Sequence, residues 1–376
     1  MGKPSLFSFF SGSGFLDLGF EHNGFDVLFV NEFHKPFLEA YEYSRERFKI
    51  DKPIYGYANI SIEDLLSGES TSKFNQIIGD AKLGDQLIGF IGGPPCPDFS
   101  VGGKNKGKDG ENGRLTSVYI DLIIKHKPDF FIFENVKGLW RTQKHRKFYD
   151  EMKKKLCENG FLITDRLTNS IEYGAPQDRD RILLFGIRTE IVDCKSNEEL
   201  EELFKWESEI KFSRKQVFED ICWPKKDVYR EDSTLEKPSQ IEGFSELTAE
   251  YWFRKNSVEK HPNAFHFFKP RAGLSKFQVI EEGDDCKKSF KRLHRWRFSP
   301  TAAYGNNEVH LHPYKSRRLS AAEALAIQSL PKEFSLPAHM SLTNMFKTIG
   351  NGVPYLASAG LARTTHNFLT QYVINK

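Results

Sequence analysis

The sequence predicts an α/β protein, in which a parallel β-sheet with helices on both faces is followed by a smaller domain of mixed structure. Apolar, strand-like runs alternate with helix-like runs over the first 188 residues, a pattern typical of parallel sheets covered on both faces. Beyond residue 188 the chain becomes charged and loop-like. We therefore predict a large domain at 1–188, a second domain with a hinge at 189–335, and a C-terminal segment at 336–376 that returns to the large domain.

Strands and helices are predicted to alternate in the large domain. Short runs rich in Phe, Ile, Leu and Val indicate buried strands, and longer runs with apolar residues at helical spacing indicate helices. The predicted strands are SLFSFF at 5–10, DVLFVNEF at 26–33, QLIGFIGGPPC at 86–96 (ending in a turn), PDFFIFENV at 128–136 and RDRILLFGIR at 179–188. The predicted helices are FLDLGFEHNGF at 15–25, KPFLEAYEYSRERF at 35–48, LTSVYIDLIIKHK at 115–127 and DEMKKKLCENGF at 150–161.

Two further elements are predicted near the C-terminus. Within residues 316–331, Ser320 followed three residues later by Glu323 is the signature of a capping box, which predicts a helix that begins after Ser320. The stretch 346–369 predicts a turn followed by a long helix. The sequence between residues 189 and 316 has little regular periodicity, as expected for a second domain rich in loops.

Composition excludes several classes of protein. With 39% apolar and 28% charged residues, the chain is typical of globular proteins, and no apolar run reaches the roughly 20 residues of a membrane span. The N-terminus lacks the order of segments that a signal peptide requires. Five widely spaced cysteines without a CxxC pair predict neither a disulfide framework nor a metal site, and favour a reduced, cytoplasmic setting. A net charge of +3 means that any nucleic-acid surface must be local.

Polar residues cluster where the predicted strands end. Ser11 to Gly14 follow the first strand, Glu32 ends the second, Cys96 follows the third and Glu134 ends the fourth. Ligands of open α/β sheets bind outside the carboxyl ends of the strands. We therefore predict the functional site at this edge.

The first strand is followed by a turn that suits a nucleoside-containing cofactor. Gly12 and Gly14 let the backbone approach a ligand, and the helix that follows favours polar or anionic groups. Glu32 lies 18 residues beyond Gly14, close to the roughly 20 expected for an acidic residue that binds ribose hydroxyls. A dinucleotide and S-adenosylmethionine both fit this pattern.

Cys96 and Glu134 form a candidate catalytic pair. A thiolate is a strong nucleophile, and a buried carboxyl with a raised pKa can act as an acid. This combination suits attack on an electron-poor ring whose nitrogen is protonated by the acid. In QDRDR at 177–181, Arg179 and Arg181 lie on the same face of a strand and could hold a carbonyl oxygen or a phosphate.

Two segments are candidates for contacting a polyanion. KKSFKRLHRWRF at 287–298 contains six Lys or Arg, no acid and three aromatic residues, which suits phosphate contacts with some stacking. SVGGKNKGKDGENGR at 100–114 is rich in Gly and Lys and predicts a loop that closes over the ligand.

Together these motifs resemble the cytosine-5 DNA methyltransferase family, nearly end to end except between about 190 and 316. The similar motifs, in chain order, are FFSGSGF at 9–15, NEF at 31–33, GGPPCPDFS at 92–100, FENVKGL at 133–139, QDRDR at 177–181, RRLSAAEALAIQSLP at 317–331 and IGNGVP at 349–354. The resemblance implies a Rossmann-like S-adenosylmethionine-dependent methyltransferase domain with a smaller, mixed target recognition domain.

The resemblance also implies a mechanism. Cys96 attacks C6 of a cytosine that is flipped out of duplex DNA, Glu134 protonates N3, and C5 accepts a methyl group from S-adenosyl-L-methionine before the C5 proton is lost. Arg179 and Arg181 hold the base and the closed loop. The implied cofactor-binding residues are Phe10, Ser11, Gly12, Ser13, Gly14, Phe15, Glu32, Phe33, Asn59, Ile60, Pro95, Asn351 and Gly352. The implied substrate and DNA contacts are Ser100, Lys104, Asn135, Gln177, Lys288, Arg292, Arg295 and Arg297.

Some positions depart from the family pattern. Asn59 stands where an Asp usually binds the adenine amino group, and Pro97 stands where Gln often follows the cysteine. Ser8 replaces a frequent Asp, and Gly352 a frequent Ser. Since the nucleophile and the acid are both present, we expect activity.

The expected partner is double-stranded DNA, bound by a monomer in the cytoplasm and at the nucleoid, with a separate cognate restriction endonuclease and no membrane. The alternatives are a tRNA cytosine-5 methyltransferase of the same fold, a NAD-dependent oxidoreductase and a catalytically silent DNA-binding module. Binding of S-adenosylmethionine would exclude the oxidoreductase, and a covalent complex with 5-fluorocytosine DNA would exclude the silent module.

Overall fold

The computed structural model describes residues 2–95, 111–270, 274–287, 289–302, 304 and 308–374. A seven-stranded sheet of order β3-β2-β1-β4-β5-β7-β6 forms its centre. The strands are β1 Ser5–Phe9, β2 Asp26–Asn31, β3 Tyr57–Ala58, β4 Ile88–Gly92, β5 Phe130–Val136, β6 Phe161–Asn169 and β7 Asp180–Arg188. The described helices are α1 Phe15–Glu21, α2 Lys35–Phe48, α3 Ile62–Ser67, α4 Thr71–Lys82, α5 Glu111–His126, α6 Gly138–Arg141, α7 Gln143–Glu158, α8 Asn197–Phe204, α9 Ala249–Lys255, α10 Leu274–Val279, α11 Ala321–Ile327, α12 Leu342–Asn351 and α13 Tyr355–Tyr372.

In this order the four strands whose carboxyl ends form the predicted ligand site, β2, β1, β4 and β5, lie next to one another. The first strand, β1, pairs in parallel with β2 on one side and with β4 on the other, so that Phe9 lies opposite Asn31 and Gly92 at the ends of those strands. Strand β5 continues the parallel sheet next to β4. The loops that leave β1, β2, β4 and β5 therefore meet at one edge, as the sequence predicts.

The prediction of a parallel sheet is wrong for β7, which pairs antiparallel with both β5 and β6. A crossover to a parallel strand needs a dozen or more residues and usually a helix, whereas β6 and β7 are joined by the short segment 170–179. This segment contains one 3₁₀ turn, Ser170–Tyr173, and reverses the chain, so that β7 runs antiparallel beside β6. No strand was predicted for the residues of β6, whereas a strand was predicted for those of β7.

Alternating side chains bury both faces of the sheet. On one face Phe7 and Phe131 pack against the helices α3, α4, α5 and α7, while on the other Leu6 and Phe130 pack against α1, α8 and α13. Neighbouring residues of one strand point to opposite faces, so a strand buried on both sides is mostly apolar along its length. This explains why the strands lack the apolar–polar alternation of half-exposed sheets.

The second part of the chain shares a core with the first. Phe15 and Phe37 from α1 and α2 belong to one apolar cluster with Trp252, Leu325 and Ile349 from α9, α11 and α12. The predicted capping box is confirmed, because the Ser320 side chain caps α11 and Glu323 bonds back to the Ser320 backbone. The predicted turn at 346–351 is instead the end of α12. The division into three segments stays a proposal.

Within the part of the chain that the structure describes, every helix is too short or too polar to cross a bilayer.

Asp17 is a fully buried carboxyl in the first turn of α1, and we expect it to make stability depend on pH. Neither of its oxygens has a well-aligned hydrogen-bond partner among the described residues. Burial raises the pKa of Asp17 from 3.8 to about 6, although Arg45 lies nearby. Because the folded-state pKa exceeds the unfolded one, the stability that neutral Asp17 contributes is present below pH 3.8 and is lost as the pH rises through about 6.

The variant Asp17→Asn tests this dependence. In denaturant titrations, the unfolding free energy of the wild type minus that of the variant should fall by about 2 to 3 kcal/mol from about pH 4 to about pH 7. A difference that stays constant over this range would contradict the prediction.

Candidate active site at the carboxyl edge of the sheet

The loop between β1 and α1 is the first component of the site, and we call Ser11–Gly14 the cofactor loop. Phe10, Gly12 and Gly14 all adopt left-handed backbone conformations, with φ of 52°, 58° and 76°. The Gly12 N–H donates to a Glu32 carboxylate oxygen at 2.8 Å, and the Gly14 N–H donates to the Ser11 carbonyl at 2.9 Å. The loop is thus held against the end of β2.

Glu32 is fixed by backbone donors on both carboxylate oxygens. One oxygen accepts from Gly12, and the other accepts from the His34 N–H at 2.7 Å. Burial raises the pKa of Glu32 above its ordinary value, while these backbone N–H groups act in the opposite direction. Each carboxylate oxygen has a second lone pair that can accept a hydrogen bond, and the binding of ribose hydroxyls by Glu32 stays a prediction.

Phe33 and Asn59 form one wall of the same edge. The Phe33 ring is 73% exposed, which is unusual for a large apolar side chain directly after a buried strand. The Asn59 amide nitrogen donates to the carbonyls of Glu32 and Phe33 at 2.8 and 2.9 Å, and this fixes the turn that carries the ring. Ile60 accepts from the Asn31 side chain at 2.9 Å and is half-buried.

Three predicted cofactor residues pack inside the protein. The Ser13 hydroxyl is buried and lies 2.7 Å from the hydroxyl of Thr348 in α12. The Phe15 ring is buried, and a Cβ atom placed on Gly352 would come within 2.1 Å of it. These contacts explain why Gly stands at 352, and the binding of cofactor by Ser13 and Phe15 stays a prediction. Asn351, at the end of α12, is exposed.

Glu134 at the end of β5 has the environment expected of a catalytic acid. Its side chain is buried, and one of its oxygens lies 2.7 Å from Nε of Arg181 on β7. Burial raises the pKa of Glu134 above its ordinary value, although the nearby guanidinium groups of Arg181 and Arg179 act in the opposite direction. A Cβ atom on Gly93 would come within 2.6 Å of the other carboxylate oxygen. The glycine therefore leaves room for the acid beside the Pro-Pro turn.

Asn135 connects this acid to the turn after β4. Its amide nitrogen lies 3.5 Å from the Pro94 carbonyl, at the limit of a hydrogen bond, and its oxygen accepts from the Val136 N–H at 2.8 Å. Pro95 is half-buried and is the last residue before a gap in the described chain. The predicted site residues that lie outside the described residues are Cys96, Ser100, Lys104 and Lys288.

Gln177 and Arg179 are buried and make hydrogen bonds to distant segments of the chain. Arg179 donates to the carbonyls of Ala302 at 3.2 Å and Gly350 at 2.7 Å, while the Gln177 oxygen accepts from the Ala302 N–H at 3.0 Å. The Gln177 amide nitrogen also lies 3.2 Å from the side chain of Gln328. Both side chains thus join the start of β7 to later segments, and their contact with the base or the DNA stays a prediction. Arg181 forms the direct ion pair with Glu134, and the Arg179 guanidinium lies near enough to act on the same carboxyl.

Three arginines of the basic run at 287–298 make contacts inside the protein. Arg292 is fully buried and donates to several backbone carbonyls, including that of Ile280 at 2.9 Å. Arg295 forms a two-pronged ion pair with Glu282, with both N–O distances at 2.8 Å. Arg297 pairs with Asp285 at 2.8 Å. These guanidinium groups are paired inside the protein, and the contact of the three arginines with DNA stays a prediction.

Arg45 and Thr348 support the cofactor loop but were not predicted. Arg45 donates to the Gly14 carbonyl at 2.8 Å, and Thr348 contacts Ser13 as described above. Arg45 follows Leu38 and Tyr41 on the buried side of α2. A cation within this apolar stripe is the feature of the sequence from which a buried, hydrogen-bonded arginine could have been predicted. Nothing in the local sequence marks Thr348 as a partner of a loop 335 residues away.

Known proteins are similar to this chain over nearly its whole length. The model of the family described as C-5 cytosine-specific DNA methylase matches residues 5–365. The Type II methyltransferase M.NmeDI of Neisseria meningitidis serogroup C is 56% identical over 98% of this chain and 85% of its own length. The Type II methyltransferase M.FnuDI of Fusobacterium nucleatum is 28% identical over 97% of this chain and 95% of its own length.

Solved structures share the fold. A protein encoded within an E. coli prophage superposes with a TM-score of 0.65 at 20% identity, over 98% of this chain and all of that one. The Entamoeba histolytica methyltransferase EhMeth gives a TM-score of 0.56 at 14% identity, over 98% of this chain and 99% of that one. From the family match and the relative in N. meningitidis, the chain belongs to the C-5 cytosine-specific DNA methylase family.

Proposed function

We propose that this DNA cytosine-5 methyltransferase acts through a covalent adduct between Cys96 and a cytosine flipped out of a short duplex sequence. The observation that carries the proposal is the buried Glu134, paired with Arg181 and adjacent to Gly93 in the turn that leads to Cys96. Burial favours the neutral, proton-donating form of this acid, and Arg181 orients it. Such an acid suits a ring nitrogen that gains a proton during the reaction.

In the proposed mechanism the Cys96 thiolate forms a bond to C6 of cytosine, and Glu134 gives its proton to N3. These two events move electron density to C5, which becomes nucleophilic. When bound, S-adenosylmethionine would supply the electrophilic methyl group for this carbon and would leave as S-adenosylhomocysteine. A base then removes the C5 proton, the sulfur–C6 bond breaks to regenerate the thiolate, and N3 returns its proton to Glu134.

The described residues at the cofactor loop fit S-adenosylmethionine. Glu32 presents an oriented carboxylate for the ribose hydroxyls, and the exposed ring of Phe33 is available to stack on the adenine. Gly12 leaves the loop open to a ligand, whereas Gly14 lets the loop pack closely on Tyr41 and Arg45. We assign Phe10, Ser11, Asn59, Ile60, Pro95 and Asn351 to the same pocket on the basis of their motifs. Ser13, Phe15 and Gly352 line it through backbone or packing only.

For partners, we propose double-stranded DNA bound by a monomer in the cytoplasm and at the nucleoid. Two relatives are named Type II methyltransferases, which supports a place in a restriction-modification system together with a separate endonuclease. Among the residues that the structure describes, there is no group of three or more His, Cys, Asp or Glu arranged to bind a metal. The proposed chemistry needs none, because the acid and the nucleophile are both protein side chains.

The test is base-resolution sequencing of 5-methylcytosine in plasmid DNA from cells that express the chain, beside a Cys96→Ala variant. We expect near-complete methylation of one short motif with the wild type and none with the variant. A folded wild type that binds S-adenosylmethionine but leaves the DNA unmethylated would overturn the proposal. Methylation of cellular tRNA in that case would identify RNA as the substrate.

A further inference from the structure

We propose that Arg45 is a positioning residue for methyl transfer: it holds the Gly14 carbonyl from within the protein and thereby sets the affinity for S-adenosylmethionine. This inference rests on the proposed function, because it takes the cofactor loop Ser11–Gly14 to be the S-adenosylmethionine site. Arg45 lies in α2, outside every motif that carries the family resemblance.

The Arg45 guanidinium bridges the two ends of α1. It donates to the carbonyl of Gly14, the residue before the helix, at 2.8 Å. It also pairs with the carboxylate of Glu21, the last residue of the helix, at 2.6 and 3.2 Å. A further N–H donates to the Ser44 hydroxyl at 3.1 Å. A single side chain thus fixes the position of α1 and the exit of the cofactor loop together.

The surroundings of Arg45 leave little freedom at this point. The side chain is only 2% exposed, and its guanidinium stacks on the Tyr41 ring at 4.0 Å from the ring centre. A Cβ atom on Gly14 would come within 2.6 Å of an Arg45 nitrogen and within 2.5 Å of the Tyr41 ring. The loop backbone therefore rests directly on these two side chains. A displacement of Arg45 must move Gly14, whose left-handed conformation defines the turn.

Arginine suits this position better than lysine. Its planar group carries five N–H donors in a fixed fork and can serve Glu21, Gly14 and Ser44 at the same time. A lysine ammonium presents its donors from one point and cannot span the same partners. Loss of Arg45 also leaves Glu21 buried without its cation, and a buried unpaired charge is costly.

The position of Arg45 predicts a selective kinetic effect. The Gly14 N–H bonds to Ser11, and the Gly12 N–H bonds to Glu32, so a shift of Gly14 is passed to the ribose-binding carboxylate. Glu134 and Arg181, by contrast, lie on β5 and β7, outside the cofactor loop. We therefore expect the KM for S-adenosylmethionine to rise while kcat at saturating cofactor and the KM for DNA stay near wild-type values.

The experiment compares the full-length wild type with Arg45→Met and Arg45→Lys, and uses Arg47→Met as the matched control. Arg47 lies on the same helix but is exposed, and its contacts are long: 3.4 Å to the Glu333 carbonyl and 6.0 Å to the centre of the Tyr43 ring. Calorimetric titration should show that Arg45→Met weakens S-adenosylmethionine binding about tenfold to a hundredfold, as expected for loss of a charged hydrogen bond. Arg45→Lys should weaken it by at least about threefold, and Arg47→Met should leave it unchanged.

The outcomes separate this inference from the proposed function. If the wild type itself does not bind S-adenosylmethionine, the cofactor assignment fails and the inference fails with it. If the wild type binds and both folded Arg45 variants bind within about twofold of it, only the inference is overturned. If Arg45→Met does not fold, Arg45→Lys decides, since it keeps the charge next to Glu21. An equal loss of DNA affinity and cofactor affinity in Arg45→Lys would also overturn the positioning role.

Discussion

Replacing Glu134 by glutamine is expected to lower kcat by about a hundredfold to ten-thousandfold, the usual contribution of a positioned general acid. Glutamine has nearly the same shape and can still accept from Arg181, but it has no proton to give to N3 of the cytosine. Glu134 is buried beside Gly93, with its pKa raised by that burial. Single-turnover assays with saturating DNA and S-adenosylmethionine measure the effect on the chemical step.

A glutamate outside the site serves as the control. Glu63 in α3 also pairs with an arginine, Arg114, at 2.7 Å, but its side chain is more exposed than that of Glu134. Glu63→Gln should keep kcat within about twofold of the wild type. Equal rates for Glu134→Gln and the wild type would show that another group protonates the base, and the proposed role of Glu134 would be withdrawn.

Removing Arg181 is expected to lower the unfolding free energy by about 3 kcal/mol and to reduce activity sharply. Arg181→Gln deletes the cation at 2.7 Å from Glu134 and leaves a buried carboxylate without its ion-pair partner. The pKa of Glu134 should then rise further, because burial acts without its main opposing charge. Denaturant titration at neutral pH measures the loss of stability.

A double-mutant cycle identifies the source of this loss. Arg181→Gln with Glu134→Gln removes both charges, so the double variant should be at least about 1 kcal/mol more stable than the sum of the single losses predicts. Arg188→Gln is the matched control: it breaks a 2.7 Å ion pair with Asp129 at the other end of β7 and should leave kcat unchanged. Strictly additive losses would mean that Arg181 and Glu134 do not interact energetically.

Local patterns in the sequence were sufficient for most of the large domain. The predicted helix at 35–48 coincides with α2, and the capping box of Ser320 and Glu323 begins α11 as expected. Such signals depend on residues within one or two turns of each other, and the same patterns recur wherever the backbone takes that shape. The direction of β7 was not readable in this way, because it depends on the length and course of its connection to β6.

The direction in which a polar side chain points was decided by contacts between distant segments. The six cations at 287–298 read as a DNA-binding run, yet Arg292 and Arg295 are held by backbone carbonyls and by Glu282. An arginine in an aromatic-rich segment can serve either purpose, and composition does not distinguish them.

By itself the sequence determined five of the seven strands, without β3 and β6, the loop between β1 and α1, and the residue types for nucleophilic and acid catalysis. Only the tertiary structure decided which polar groups lie at the carboxyl edge of the sheet and which are buried and bond to the loops of that edge. Ser13 bonds to Thr348 across 335 residues, and Arg45 bonds to Gly14 from a neighbouring helix. The physical reason is that buried polar groups must find partners wherever the fold brings them together, and those partners lie far away in the chain.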